Sequence, residues 1–115
     1  MSRSRAIGNT WITDMRYFLD ASGAIPEGIP GPALSLGLFL GALVAWVTSG
    51  RSVSDARTNV SCRRSPGRRR CPGEILATFE PDGSTILWHC PVCGDNGVTR
   101  GWEGTPWDRR AERAR

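Results

Sequence analysis

A small α+β fold, one apolar helix packed on a three-stranded antiparallel sheet, is predicted by three features of this sequence. Residues 33–49 form an uncharged, apolar run of single-helix length. Residues 74–80 and 85–89 are strand-like and flank the turn sequence Pro81-Asp82-Gly83-Ser84. Four cysteines, Cys62, Cys71, Cys90 and Cys93, fall around that hairpin. At 115 residues the chain is sized for one small domain, and its C-terminal half is rich in Gly, Pro and Arg. Units of this kind need a staple to supplement a thin core.

In chain order, residues 1–14 read as a flexible arm and 15–50 as an N-terminal segment carrying the helix. Within it, 15–19 is a short strand or packing segment, and 20–32 is a Gly/Pro-rich series of turns. Pro32 suits a first helical turn, where a missing N–H costs nothing, and Gly50 suits the left-handed position after the helix end. The interior of 33–49 is apolar nearly all round, so the helix is either buried or membrane-embedded. Its length approaches the minimum for a bilayer span, and Gly37-Leu38-Phe39-Leu40-Gly41 has the small-xxx-small spacing of paired membrane helices. The leading expectation is burial against the domain or against a second copy.

Residues 51–108 comprise a basic loop and the hairpin unit. In the turn, Pro81 presets one backbone angle and Gly83 supplies a positive φ. Residues 98–102 supply the third strand. Residues 101–108 (Gly-Trp-Glu-Gly-Thr-Pro-Trp-Asp) read as a packing loop, with Trp107 capping the open face of the sheet. Residues 109–115 are an Arg-rich tail.

The cysteines carry the clearest chemistry. Cys90-Pro91-Val92-Cys93 places two thiolates where a tight turn grips one tetrahedral metal ion, and Gly94 allows the backbone to close behind them. Cys71 stands before the first hairpin strand and Cys90 ends the second, so antiparallel pairing brings them together. Cys62 joins through a returning loop. The result is zinc-ribbon-like, with structural Zn2+ held by Cys62, Cys71, Cys90 and Cys93. The departure is the first pair, which has eight intervening residues where a ribbon has two. His89 is a neighbour of the site rather than a ligand, because alternate strand residues face opposite ways. A closed four-thiolate set has no open position for substrate. Two disulfides, free thiols and thiol exchange are the competing uses of these cysteines. Residues 1–10 are polar and basic with no secretory signal, so a cytoplasmic, reducing location is expected and metal is favoured.

Charge is unevenly placed. The net charge is +4, and every Lys-or-Arg position is Arg. Residues 51–70 hold seven Arg and one acid, Asp55. Arg63, Arg64, Arg68, Arg69 and Arg70 lie between the first two cysteines, where a metal would display them as a phosphate-contacting loop. Trp88 and Trp102 are candidate platforms for stacking unpaired bases. The competing readings are a solvated, codon-biased Arg run and a tryptophan mini-core. With one His and no G-x-S-x-G, P-loop or H-E-x-x-H, the chain shows no catalytic constellation and is not expected to be an enzyme.

The stretch Ile86-Leu87-Trp88-His89-Cys90-Pro91-Val92-Cys93-Gly94-Asp95-Asn96-Gly97-Val98, with Gly101-Trp102-Glu103-Gly104-Thr105-Pro106-Trp107-Asp108 after it, resembles a group of small uncharacterised bacterial proteins. The resemblance covers about residues 15–110 and implies a soluble zinc-ribbon-like protein without an assigned activity. The functional expectation is a non-catalytic zinc protein that binds a macromolecule, with nucleic acid preferred. The alternative is an interaction or scaffold protein dimerising through helix 33–49. A third reading is a single-span membrane protein with a cytoplasmic zinc ribbon.

Overall fold

The computed structural model describes residues 10–50 and 57–113. Its architecture is α+β, and its sheet is five-stranded and mixed. This corrects the expected three-stranded antiparallel sheet. Strands β1 (Thr10–Asp14), β2 (Arg57–Ser61), β3 (Glu74–Phe79), β4 (Ile86–His89) and β5 (Asn96–Arg100) run in the spatial order β1-β5-β4-β3-β2. The β2–β3, β3–β4 and β4–β5 pairs are antiparallel, whereas β1 pairs parallel with β5.

The expected hairpin forms in register, with Phe79 opposite Ile86 and Leu76 opposite His89. Its turn has the anticipated mechanism. Gly83 adopts φ 72°, and the Asp82 carboxylate accepts from the backbone N–H groups of Ser84 and Thr85 and from the Thr85 hydroxyl.

The two added strands were hidden for different reasons. Thr10–Asp14 falls where a flexible arm was expected, and its partner lies at the other end of the sequence, so no local pattern announces the pairing. Arg57–Ser61 sits inside the basic segment and lacks alternation of apolar residues. It is also irregular: its register shifts between Arg57 and Ser61, and Asn59 takes φ 62°. Glu74 repairs that bulge by accepting from the Asn59 N–H and from Arg57.

Residues 15–18 form a 3-10 turn, which is the packing segment of the two expected alternatives and not the strand. Asp14 caps it by accepting from the Arg16 N–H, and Met15 and Phe18 enter the core. Helix α1 spans Gly31–Thr48, two residues earlier than expected at its start, with Pro32 in the first turn and Gly50 at φ 80° beyond its end. Leu40, Leu43, Val44 and Val47 pack on the sheet, while Ser35, Leu38 and Ala42 face outward. Although α1 is long and apolar enough to cross a membrane, its small residues are used within the chain. Gly37 lies against the Phe18 ring and Gly41 against the Trp107 indole, which leaves no room for a Cβ at Gly41. Trp107 therefore packs on the helix side and does not cap the open sheet face.

The core joins α1 to one face of the sheet through Ile75, Ala77, Ile86 and Trp88. Trp102 is fully buried; its indole N–H donates to the Ser84 carbonyl at 2.6 Å and its ring meets Phe79. After Trp102, the Thr105 hydroxyl turns back to the Trp102 carbonyl. Arg109 donates its N–H to Thr48 at the end of α1. Within the Arg-rich tail, Arg110–Arg113 form a single helical turn, α2.

Candidate metal centre

The site lies at one end of the sheet, where the β2–β3 and β4–β5 connections meet. Cys62 follows β2, Cys71 precedes β3, and Cys90 and Cys93 lie in the turn from β4 to β5. All four Sγ atoms fall within 4.8 Å of one another. Cys62–Cys93 and Cys71–Cys90 are 3.7 Å and 3.6 Å apart, and none is disulfide-bonded. Four sulfurs at about 2.3 Å from one tetrahedral ion are separated by about 3.8 Å. The cluster thus fits a tetrahedral ion, and the four cysteines can hold a metal.

The backbone repeats one device at every cysteine. Each sulfur meets the N–H of the residue two positions on: Arg64 for Cys62, Gly73 for Cys71, Val92 for Cys90 and Asp95 for Cys93. Hydrogen bonds of this kind favour the charged thiolate that a metal ligand must be. Gly94 at φ 84° closes the β4–β5 turn, with its N–H on the Cys90 carbonyl and the Cys90 N–H on Asp95.

The irregular first pair has a structural explanation. The Cys62 N–H donates to the Gly73 carbonyl and the Cys71 N–H to the Arg64 carbonyl, so residues 62–64 and 71–73 lie antiparallel beyond β2 and β3. The extra length, residues 65–70, loops out from between them. Gly73 was not visible as a site residue in the sequence. A Cβ there would overlap the Cys90 sulfur, so glycine is what permits the close approach of the two halves.

No protein-family model matches the chain, and no curated protein or solved structure does either. The functional reading therefore rests on the donor set and its surroundings.

Cys62, Cys71 and Cys90 are buried, and Cys93 stands at the surface. Burial pushes the Cys62 thiol up to about 12. Burial also acts to raise Cys90, but the N–H groups of Cys93 and Val92 override it and the thiol is lowered. Cys93 is raised, chiefly by burial among the other sulfurs. A cation in the centre would reverse this resistance to ionisation, since a coordinating thiol gives up its proton. His89 faces the open side of the sheet, between buried Trp88 and Cys90, and is not in the cluster. The Cys90–Cys93 turn joins two strands, so no helix N-terminus of the kind used in thiol exchange lies beneath Cys90.

The Arg residues divide. Arg63 is half-buried with its guanidinium 5.8 Å from the centre of the Phe39 ring, and Arg70 donates from Nε to the Cys62 carbonyl at 3.1 Å. Both secure the loop to the site. Arg64, Arg68 and Arg69 are exposed on it, around a tip where Gly67 and Arg68 take φ 63° and 70°. The expected stacking platforms are corrected. Trp88 is 4% exposed and Trp102 is completely enclosed, so neither ring face can receive a base. Trp88 fills the core because its strand register points it at Phe39 of α1, whereas Trp102 lies just beyond β5, which spans 96–100 rather than the expected 98–102, and packs on Phe79.

Proposed function

We propose that this is a non-catalytic zinc protein of the cytoplasm in which the four thiolates bind one structural Zn2+ and display an Arg loop to nucleic acid. The observation that carries the reading is the set of four sulfurs within 4.8 Å of one another, two of the pairs at 3.7 Å and 3.6 Å, each facing a backbone N–H. Four thiolates in a closed site select zinc by donor softness and geometry and leave no position for substrate water. Metal binding joins β2–β3 to β4–β5 where the apolar core is thin, so its free energy becomes folding energy.

The nucleic-acid part rests on the exposure of Arg64, Arg68 and Arg69. With Trp88 and Trp102 removed from the surface, contact is to the phosphate backbone and is not selective for sequence. We also keep, as a proposal, kinship with the small bacterial proteins that share the Cys90–Asp108 motifs.

Native protein should contain about one zinc per chain, and Cys90→Ser should abolish retention. Arg64/Arg68/Arg69→Ala should weaken binding to single- and double-stranded oligonucleotides alike and reduce the salt slope by about 3. Metal-free native protein, or binding unchanged in the triple variant, would remove the respective half of the proposal.

A further inference from the structure

The four cysteines are not equivalent. Cys93 is exposed, whereas Cys62, Cys71 and Cys90 are buried. The residues around it in the turn, Pro91, Val92 and Gly94, are exposed as well. An oxidant arriving from solvent therefore meets the cluster first at Cys93. The Cys62 sulfur stands 3.7 Å from it, and the Cys71 and Cys90 sulfurs are 3.6 Å apart.

Four thiols pair in three ways. Both sulfur–sulfur contacts of hydrogen-bond geometry belong to the same one, Cys62 with Cys93 and Cys71 with Cys90. Disulfide sulfurs lie about 2.05 Å apart, so each pair has roughly 1.6 Å to close. Both bonds would run between the β2–β3 side of the site and the β4–β5 turn. Joining Cys62 to Cys71 and Cys90 to Cys93 would leave those two sides unlinked.

We propose that Cys93 is a peroxide-modification site, that Cys62 resolves it, and that two disulfides exchange with the metal as the staple of this end of the sheet. The release of metal rests on the structural-zinc reading above; the pairing does not. Hydrogen peroxide supplies the oxidising equivalents. The Cys93 thiolate attacks one peroxide oxygen, an S–O bond forms, the O–O bond breaks, and hydroxide leaves and is protonated to water. The sulfur has lost two electrons and the peroxide has gained them. The Cys62 thiolate then attacks the Cys93 sulfur, an S–S bond forms, the S–O bond breaks, and the second hydroxide leaves and takes a proton from solvent. Two thiolates, one peroxide and two protons become one disulfide and two waters. Cys71 and Cys90 fill only two positions of a tetrahedral ion, so the zinc is released. A second peroxide converts that pair by the same steps.

The Arg loop keeps its footing throughout. It is anchored by Arg70 Nε on the Cys62 carbonyl, by the Cys71 N–H on the Arg64 carbonyl and by Arg63 against Phe39. Chelation leaves this end with four unlinked thiols, whereas oxidation leaves it cross-linked. The oxidised chain is thus metal-free and folded.

The test uses the full chain, reduced and zinc-loaded. With about one equivalent of hydrogen peroxide, peptide mapping without reductant should find Cys62 joined to Cys93, and with about two equivalents Cys71 joined to Cys90 as well. A chromogenic indicator should register zinc in step with the first bond. In Cys62→Ser, dimedone should trap Cys93 as its sulfenic acid, with at least about tenfold less label on Cys71 or Cys90. Should that variant fail to fold, the order in which the two bonds form in the unaltered chain decides. Amides of β2 and residues 62–73 should stay protected after oxidation. Any other pairing, first modification at a buried cysteine, bonds between chains, or unfolding on oxidation would overturn the assignment. Protein isolated without metal would remove the zinc reading alone, because the same mapping still decides the pairing.

Discussion

The two ends of the sheet hold together by opposite means. At the end formed by Met15, Phe18, Phe79 and Trp102, large apolar side chains are buried or half-buried, and the Trp102 indole N–H donates to the Ser84 carbonyl at 2.6 Å. At the cysteine end, Pro72, Val92 and the loop 64–70 are exposed, and burial is confined mainly to three cysteines and Gly73. One end is stabilised by removing apolar area from water. The other has four sulfurs within 4.8 Å of one another, which as thiolates repel one another unless a cation sits among them. The large residues are thus concentrated at one end, and the other has a cysteine cluster that can hold a metal.

With the proposed metal bound, its removal should give the largest effect. Binding of structural zinc contributes on the order of 10 kcal/mol in small domains. Chelation should expose amides of β2 and residues 62–73 to exchange before those of α1 and residues 102–105. Simultaneous loss everywhere would show that the two ends form a single cooperative unit. The next effect belongs to the apolar end. Trp102→Ala should cost about 3–5 kcal/mol in denaturant unfolding. Zinc content of the folded protein should remain unchanged, and its loss would break the division between the ends.

A smaller effect is expected at Gly41, where a Cβ enters the Trp107 indole. Gly41→Ala should cost about 1–3 kcal/mol through overpacking. Trp107→Leu should recover part of it, and a neutral or stabilising Gly41→Ala would mean that α1 and Trp107 are not in contact. The smallest is electrostatic. Although burial acts to raise Asp108, its bonds from the Arg110 side chain and from the N–H groups of Gly104 and Arg110 outweigh it and hold the carboxyl at about 2, below its ordinary 3.8. Because the folded value is the lower, the stabilisation is present above about pH 4 and disappears as pH falls toward 2. With Arg110 half exposed, about 1 kcal/mol is expected after solvent screening. Asp108→Asn should therefore lower the melting temperature at pH 7 but not near pH 2. An equal deficit at both would assign Asp108 a packing role instead.

Local chemistry made several parts legible in the sequence. The hairpin turn was readable because Asp82 and Gly83 specify it within a few residues. The ends of α1 were readable because Pro32 and Gly50 suit only those positions. The cysteine set was legible because Cys90-Pro91-Val92-Cys93 is a local turn and the hairpin carries Cys71 to it. The reach of the sheet was not legible. β1 depends on register with residues 96–100, and β2 depends on a bulge completed by Glu74. Trp88 and Trp102 were misplaced because aromatic composition does not distinguish a core from a stacking surface; the register of β4 decides it for Trp88, and the contacts with Ser84 and Phe79 decide it for Trp102.

What the sequence alone determined, then, are those features whose causes act over a few residues: the helix, the hairpin and the Cys90–Cys93 turn to which the hairpin carries Cys71. Only the tertiary structure decided that the sheet has five strands among the described residues, that Gly73 admits the Cys90 sulfur, and that Gly37 and Gly41 receive Phe18 and Trp107. Each of these is a contact between distant segments, and its energy depends on close approach and register. Neither composition nor spacing along the chain encodes such contacts directly.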